Sequence, residues 1–276
     1  MKGFIVAAAC LTALAATPQP AAAQNDLERA RTLYNSGRFD ESIAAATAAA
    51  SKPGAATSAK LIVARARLER FRQQGDPQEL TSARAELMSL KPGSLAPQEA
   101  IEWQIGVGTA LFLEEQLGPA AEMFQMLLPA ARSRLTPDEF QKLLDWWGTA
   151  TARLAESLTG AARRRAYDRL RSDARSELER SPFSRAATYW TVVASRGAGD
   201  LDAAWNSAIT GWIRMSGQGE SKQAQTDLDT FVTKTLIPER AQARTGLRLD
   251  SKSTMNEIAA LTEEWRAVTT RWNSEG

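Results

Sequence analysis

The sequence predicts an all-α protein, and two observations carry that prediction. From residue 25 onward, apolar residues recur at intervals of three and four, which is the spacing of one helix face and not that of a strand. Residues that start or stop helices separate these stretches. The pattern indicates about eleven helices, most of them roughly 12 to 22 residues long, joined by short turns.

The apolar stripes place these helices along the chain. Stretches 56–74 and 77–90 each carry one stripe of apolar residues on a single helix face, and similar stripes continue towards the C-terminus. The two most regular stripes are Leu201, Trp205, Ala208, Trp212, Met215 and Ile258, Leu261, Trp265, Val268, Trp272. Residues 231–237 have the β-branched composition of a strand, and the same window also fits a helical stripe.

Helix boundaries agree with this division. The run Thr136-Pro137-Asp138-Glu139 is a capping box with proline at the first helical position, where proline removes no intrahelical hydrogen bond. Asp200 follows Gly199 and is the predicted N-cap of the next helix. Glycine favours the left-handed conformation that ends helices, and helix stops are predicted at Lys52-Pro53-Gly54, Lys91-Pro92-Gly93 and Leu158-Thr159-Gly160.

The first 23 residues have the order of a secretory signal peptide. Lys2 precedes an apolar core of about 13 residues, which is shorter than the ~20 residues that span a bilayer. Small residues end the segment, so cleavage is predicted between Ala23 and Gln24. A retained anchor and a lipoprotein modified at Cys10 are the alternatives. With cleavage and no second apolar span, we expect a bacterial periplasmic or secreted protein without an integral membrane segment.

Composition argues against several kinds of site. The chain has 276 residues, no His and one Cys, and this Cys lies in the predicted leader. Zinc centres, iron-sulfur clusters and His-based triads need imidazole or thiolate groups, so we expect no cofactor and no metal. An enzyme would have to use carboxylates, hydroxyls or Lys, and the sequence around Glu156 predicts no buried surroundings that would raise its pKa, so we expect no enzymatic activity. The formal charge of +2, with both signs interspersed, gives no general attraction to nucleic acid, which is therefore not an expected partner.

Part of the chain resembles a known repeat. In residues 33–53, Gly37 and then Phe39 occupy a turn between two amphipathic stretches, and Pro53 ends the second. This order is similar to a tetratricopeptide repeat, which is a pair of helices. Divergent echoes of it lie at 73–92, 116–129 and 199–204.

The resemblance implies a helical-hairpin solenoid, a right-handed superhelix whose first helices line a concave surface and whose last helix is a cap. It also implies that ligand contacts lie two, three and six residues before each turn glycine. Those positions are Arg31, Tyr34 and Asn35; Glu69, Arg72 and Gln73; Phe112, Glu115 and Gln116; and Val193, Arg196 and Gly197. Arg31, Arg72 and Arg196 suit a bidentate carboxylate ligand. Exposed Arg and Glu are common on any amphipathic helix, which favours the other interpretation, that these residues are solvated positions without a ligand.

Residues 161–185 are the most charged stretch of the chain, with eight Arg against four Asp and Glu. One interpretation is a docking surface for an anionic partner. We favour a long exposed helix supported by ion pairs four residues apart, Arg164 with Asp168 and Arg169 with Asp173.

The chain contains eight Trp, most of them on apolar stripes. We favour a packing role, in which large rings fill gaps between imperfect repeats, and the alternative is stacking on the sugar rings of a cell-wall glycan. Trp146 is the exception: its neighbour Trp147 faces the stripe, and adjacent helical residues point in different directions.

The sequence therefore divides into four predicted parts. They are the leader 1–23, tetratricopeptide-like helix pairs 24–133, continuing helical repeats 134–218, and C-terminal helices 219–276 that cap the solenoid. The predicted function is a non-enzymatic scaffold of the bacterial cell envelope that binds a protein or peptide in a concave groove. The alternative is a protein that binds or processes cell-wall peptidoglycan. The partner's identity and the oligomeric state stay open.

Overall fold

A computed structural model describes residues 21–216 and 222–273. Residues 1–20, which form most of the predicted leader, lie outside the described residues. The predicted cleavage point between Ala23 and Gln24 falls in the first turn of the first helix.

The described residues form helices joined by turns and contain no strand, which confirms the all-α prediction. The first helices are α1 (Ala21–Asn35), α2 (Phe39–Ala50), α3 (Ala56–Gln74) and α4 (Pro77–Ser89), followed by a 3-10 turn, Pro92–Ser94. Next come α5 (Pro97–Leu113), α6 (Leu117–Arg132), α7 (Pro137–Ser157), α8 (Gly160–Arg180), α9 (Arg185–Gly197) and α10 (Leu201–Ser216). The last are α11 (Lys222–Phe231), a π segment (Val232–Leu236), α12 (Ile237–Thr245) and α13 (Lys252–Asn273).

The π segment resolves the ambiguous window 231–237. α11, the π segment and α12 run on as one helix, so this window is helical despite its β-branched residues. Pro238 lies in the first turn of α12 and has no N–H to donate to a carbonyl of the preceding turn. The wider π turn accommodates that missing hydrogen bond, and Val232, Leu236 and Ile237 are all fully buried there.

Several predicted boundaries are confirmed atom by atom. The N–H of Glu139 donates to Thr136 Oγ1 at 3.3 Å, and the N–H of Thr136 donates to Glu139 Oε2 at 2.9 Å. Asp200 Oδ1 accepts from the N–H of Ala203 at 2.9 Å and caps α10. Gly75, with φ of 73°, ends α3 in the left-handed conformation, where other residues are strained.

The chain divides into two compact units, with the division between Leu95 and Ala96. This division lies just after the helix stop predicted at Lys91-Pro92-Gly93. The sequence predicts a helix end there but not a boundary between units. In the first unit, α1 to α4 pack in chain order, and α1 also contacts α3. The main apolar cluster of that unit is rich in alanine, so its helices approach one another closely.

The second unit contains α5 to α13. Helices α5 to α10 each pack against their neighbours in the chain, and α5 with α7 and α7 with α9 also touch. One apolar cluster spans α5 to α9, and a second centres on Trp205, Trp212 and Trp265. Leu261 and Trp265 bury the apolar stripe of α13, which packs on α10 and α12.

Within the part of the chain that the structure describes, no helix combines the length and apolar character needed to cross a membrane.

Candidate functional site

Helices α8, α9 and α10 enclose an open groove in the second unit, with a volume of about 610 Å³. α8 forms one wall with Arg175, Leu178 and Glu179, and α10 forms the other. Thr188 and Thr191 of α9 lie at the floor, where both are buried. We call this concavity the α8–α10 groove.

Local packing explains why the groove has this shape. A Cβ built on Gly211 of α10 would lie 2.3 Å from Thr188 Cγ2, so only glycine lets α10 approach α9 this closely. Arg171 of α8 pairs with Asp168 at 2.7 Å and with Asp200 at 3.3 Å, which ties α8 to the start of α10. Close packing of α10 on α9 at the floor, and the Arg171–Asp200 pair at one end, therefore fix the positions of the two walls.

The N-terminus of α9 is fixed by a glutamine of α7. The Oε1 atom of Gln141 accepts from Ser184 Oγ at 3.1 Å and from the N–H of Ala186 at 3.0 Å. Ser184 itself caps α9 by accepting from the N–H of Ala187 at 3.3 Å. This arrangement satisfies free N–H groups of the first turn and holds the groove floor against α7.

Besides Glu179 and the buried Thr188, five polar side chains line the groove without a side-chain partner among the described residues. Each of them makes neither a hydrogen bond nor an ion pair with any residue in 21–216 or 222–273. They are Arg175 of α8 and Asn206, Ser207, Thr210 and Arg214 of α10. Two guanidinium groups, one amide and two hydroxyls are thus available to a ligand in one concavity.

The charged residues of the groove carry a small positive excess. Arg175 and Arg214 contribute two positive charges, and Glu179 is the single carboxylate in the lining. Glu179 lies four residues after Arg175 on α8 but does not pair with it or with another described residue. The groove therefore offers more hydrogen-bond donors than acceptors, and it favours an anionic ligand.

The predicted contact residues of the first unit lie on α1 and α3. The guanidinium of Arg65 stacks on the Tyr34 ring at 4.6 Å, which brings these two helices together. Arg72 pairs with Glu69 at 2.6 Å on the same helix. Arg31 is half-buried, and Asn35 and Gln73 are exposed at the ends of their helices.

The predicted contact residues at the end of α5 are engaged with their own chain. Glu115, with φ of 60°, pairs with Arg153 of α7 at 2.6 Å. The same arginine stacks on the buried Phe112 ring at 5.0 Å. Gln116 Nε2 donates to Glu114 Oε2 at 3.1 Å.

Arg196 already holds a carboxylate in the bidentate manner expected for a ligand. Its Nε donates to Glu239 Oε2 of α12 at 2.8 Å, and Nη2 donates to the other oxygen. The hydrogen bond with Glu239 raises the pKa of Arg196. Val193 is buried, and Gly197 packs against the Tyr167 ring, from which a Cβ on Gly197 would lie only 2.4 Å away. The arginine that the sequence assigned to a carboxylate ligand therefore binds a carboxylate of its own chain, that of Glu239.

The arginine-rich stretch forms α8, but its predicted ion pairs do not form. Asp168 pairs with Arg171 in place of Arg164, and Asp173 accepts from Gln125 Nε2 of α6 at 3.0 Å in place of pairing with Arg169. The prediction of these two i,i+4 pairs is therefore wrong. Asp168 thus pairs three residues along the same helix, whereas Asp173 has its partner on α6, and pairing along a helix is weak enough for either to replace the i,i+4 pair.

The tryptophans serve mainly as packing residues. Trp205 and Trp212 lie against Trp265 with ring centroids 6.0 and 5.5 Å apart, and all three are buried. Trp265 Nε1 donates to Asp229 Oδ1 at 2.7 Å, so this buried N–H is satisfied. Trp146 does point away from the stripe of Trp147, and it packs edge-on against Phe112 at 5.2 Å.

A second group of titratable residues lies on α7, α9 and α11. Trp190 Nε1 donates to Asp145 Oδ1 at 3.1 Å. Part of Asp145 is open to solvent, but the protein atoms around its carboxylate remove hydrating water, and this desolvation raises its pKa from 3.8 to about 6. Burial also raises the pKa of Tyr189, and the charges of Asp227 and Asp145 add to it. Among the described residues, no cluster of three or more acidic residues is arranged to hold a metal.

Sequence reasoning missed the α10 wall of the groove. Arg175 lies in the arginine-rich stretch, but no sequence motif marks Asn206, Ser207, Thr210 and Arg214. A signal for them was present, because they recur at helical spacing on the face opposite Trp205 and Trp212. The stripe of Trp205 and Trp212 indicates only the buried face of the same helix.

Comparisons with protein-family models, with curated protein sequences and with solved structures give no match to this chain.

Proposed function

We propose that the protein is an exported, non-enzymatic scaffold of the bacterial cell envelope that binds a segment of another protein in the α8–α10 groove. The observation that carries the proposal is that Arg175, Asn206, Ser207, Thr210 and Arg214 line this one concavity and have no partner among the described residues. Binding sites are concave and present a few convergent polar groups, and this groove has both properties.

The packing order supports a solenoid of helix pairs like that of tetratricopeptide repeats. The pairs would be α1 with α2, α3 with α4, α5 with α6, α7 with α8 and α9 with α10, each joined by a short turn. Within each unit, contacts link a pair to the next one along the chain. Such stacking leaves extended polar surfaces, which proteins of this kind use to bind peptides.

The buried stripe of α13 supports its role as the cap of the solenoid. We expect that truncation before Lys252 lowers the thermal stability strongly, because it uncovers Trp205 and Trp212. A truncated chain that unfolds at the same temperature as the full chain would mean that α13 serves a partner and not its own fold.

The glycan alternative has less support. Sugar binding by aromatic stacking needs an exposed ring, but Trp147, Trp190, Trp205, Trp212 and Trp265 are all buried. No aromatic residue lines the α8–α10 groove among the residues described. A peptide ligand therefore suits the groove better than peptidoglycan.

Export is proposed from the sequence of residues 1–23 alone. The test is the mass of the protein recovered from the periplasm or medium of a bacterium that expresses the full chain. We expect an N-terminus at Gln24. Recovery of the uncut chain in the membrane fraction would instead indicate a retained anchor.

Binding is tested by capture of envelope proteins on the immobilised protein and on two variants. S207W fills the groove with an indole ring, and A267W adds the same ring at an exposed position of α13 as the control. We expect a discrete protein that is captured by the unaltered chain and by A267W but lost with S207W. Capture that is equal for all three would remove the groove from the proposal, and retention on peptidoglycan without a captured protein would favour the glycan alternative.

A further inference from the structure

We infer that the α8–α10 groove takes an extended acidic segment of its partner, with carboxylate side chains of that segment received by Arg175 and Arg214. The inference rests on the proposed function and names the chemistry of its ligand. It concerns side-chain carboxylates within a segment and not a free chain terminus.

The donor set of the groove suits carboxylates. Each guanidinium offers a planar fork of N–H groups that matches the two oxygens of a carboxylate, and such charge-assisted pairs are among the strongest hydrogen bonds in proteins. Arg72 and Arg196 would have to break their ion pairs with Glu69 and Glu239 before they could bind a ligand. Arg175 and Arg214 have no such pair among the described residues. Ligand binding therefore breaks no internal ion pair.

The dimensions of the groove suit a short extended peptide. On α10 the lining runs from Ala203 to Arg214, which corresponds to about 16 Å at 1.5 Å per residue. An extended chain advances about 3.3 Å per residue, so roughly five residues fit along this wall. On the same wall as Arg214, Asn206, Ser207 and Thr210 provide amide and hydroxyl groups for the peptide backbone of the ligand.

The surroundings add a longer-range attraction. Arg164, Arg165 and Arg169 are exposed along the same helix that carries Arg175. Their summed field draws an acidic segment towards α8 even though the whole chain has a formal charge of only +2. Phe183, which follows the lining residue Pro182 in the chain, is 61% exposed and offers one apolar contact to a neighbouring ligand residue.

This surface differs from the one that the tetratricopeptide resemblance implies. The implied surface lies on the first helices of the pairs, whereas α8 and α10 are the second helices of theirs, with only α9 contributing to the floor. The two surfaces can therefore be tested with separate variants.

The experiment measures the affinity of the purified full-length protein for an acetylated and amidated hexaglutamate peptide by calorimetry. The capped ends leave side-chain carboxylates as the only anions, and capped hexaglutamine is the neutral control. We expect R175Q and R214Q to weaken hexaglutamate binding about tenfold each and about 100-fold together. The matched control R164Q/R165Q removes the same charge from α8 outside the groove and is expected to weaken binding less than threefold.

Two results would overturn the inference. They are equal affinity for hexaglutamine and hexaglutamate, or equal hexaglutamate affinity in R175Q/R214Q and in R164Q/R165Q. Both groove arginines lack partners among the described residues, so we expect the variants to fold, and circular dichroism of each variant checks this. A protein partner that S207W loses and R175Q/R214Q keeps would also contradict the acidic ligand, while the proposed groove function would stand.

Discussion

The arginines of α3 and those of the α8–α10 groove have opposite environments. Arg67 and Arg70 in the first unit both contact Glu79, with nitrogen to oxygen distances of 3.3 and 3.6 Å, and each also approaches a second carboxylate. Arg175 and Arg214 in the second unit meet no carboxylate within hydrogen-bond distance in the described chain. The same side chain thus stabilises the fold in one place and remains available for binding in the other.

The difference follows from the helices beside each arginine. α4 carries Glu79 and Glu86 towards α3, and Glu79 is only 7% exposed, so its charge requires compensation. α10 carries amide and hydroxyl groups towards α8, and none of them neutralises a guanidinium. The number of arginines in a sequence therefore does not distinguish structural from binding residues. The side chains of the neighbouring helix determine whether an arginine is paired or available to a ligand.

The largest expected effect is the loss of Glu79. E79Q leaves two partly buried arginines with less compensation, and we expect it to lower the free energy of unfolding of the first unit by about 3 kcal/mol. The measurement is denaturant unfolding followed by circular dichroism. E69Q is the matched control: its partner Arg72 is exposed, so we expect a loss below about 1 kcal/mol. Equal losses would mean that burial does not distinguish the two pairs.

A smaller effect is expected at Arg196. Its pair with Glu239 joins α9 to α12 and is partly exposed, so R196Q should cost about 1 kcal/mol of stability. The same variant should leave hexaglutamate binding unchanged. A loss of that binding without a loss of stability would return Arg196 to the role that the sequence suggested.

The groove arginines should contribute least to stability. R175Q/R214Q removes no hydrogen bond to any residue that the structure describes, so we expect the free energy of unfolding to change by less than about 0.5 kcal/mol while ligand binding falls. A loss comparable to that of E79Q would contradict the distinction between the two sets of arginines.

The pH dependence tests the carboxylate next to Trp190. The folded-state pKa of Asp145 is about 6, above the value in an unfolded chain, so the folded state binds the proton more tightly. Its contribution to stability is therefore full at low pH and is lost as the pH rises through about 6. D145N keeps an acceptor for the indole N–H and should flatten this part of the profile. The measurement is the unfolding temperature of both proteins between pH 4 and 7. If it depends on pH as steeply in D145N as in the unaltered chain, groups other than Asp145 cause that dependence.

Local features of the fold were predictable, and long-range ones were not. The capping box at Thr136 and the cap at Asp200 depend on residues within one turn, and both form as expected. The pair of Arg196 with Glu239 joins residues 43 apart, and no local pattern indicates it. The π segment was missed for a related reason, because its cause is a proline placed inside a helix that tertiary packing holds together.

The groove was predictable only in part. Arg175 lies in the arginine-rich stretch 161–185, where the sequence favours ion pairing along α8, but Arg214 lies on α10 outside that stretch. The α10 wall consists of small polar residues with no motif of their own, and they gain significance only because α9 brings α10 close to α8.

The most direct test of the account locates the ligand in the groove. Cys10 is the only cysteine in the chain, so C10S/S207C carries a single thiol in the groove wall, and C10S/A267C carries one on exposed α13. The rate of thiol modification is measured with and without saturating capped hexaglutamate. The account predicts at least tenfold protection at position 207 and none at position 267. Equal rates at position 207 with and without the peptide would contradict it.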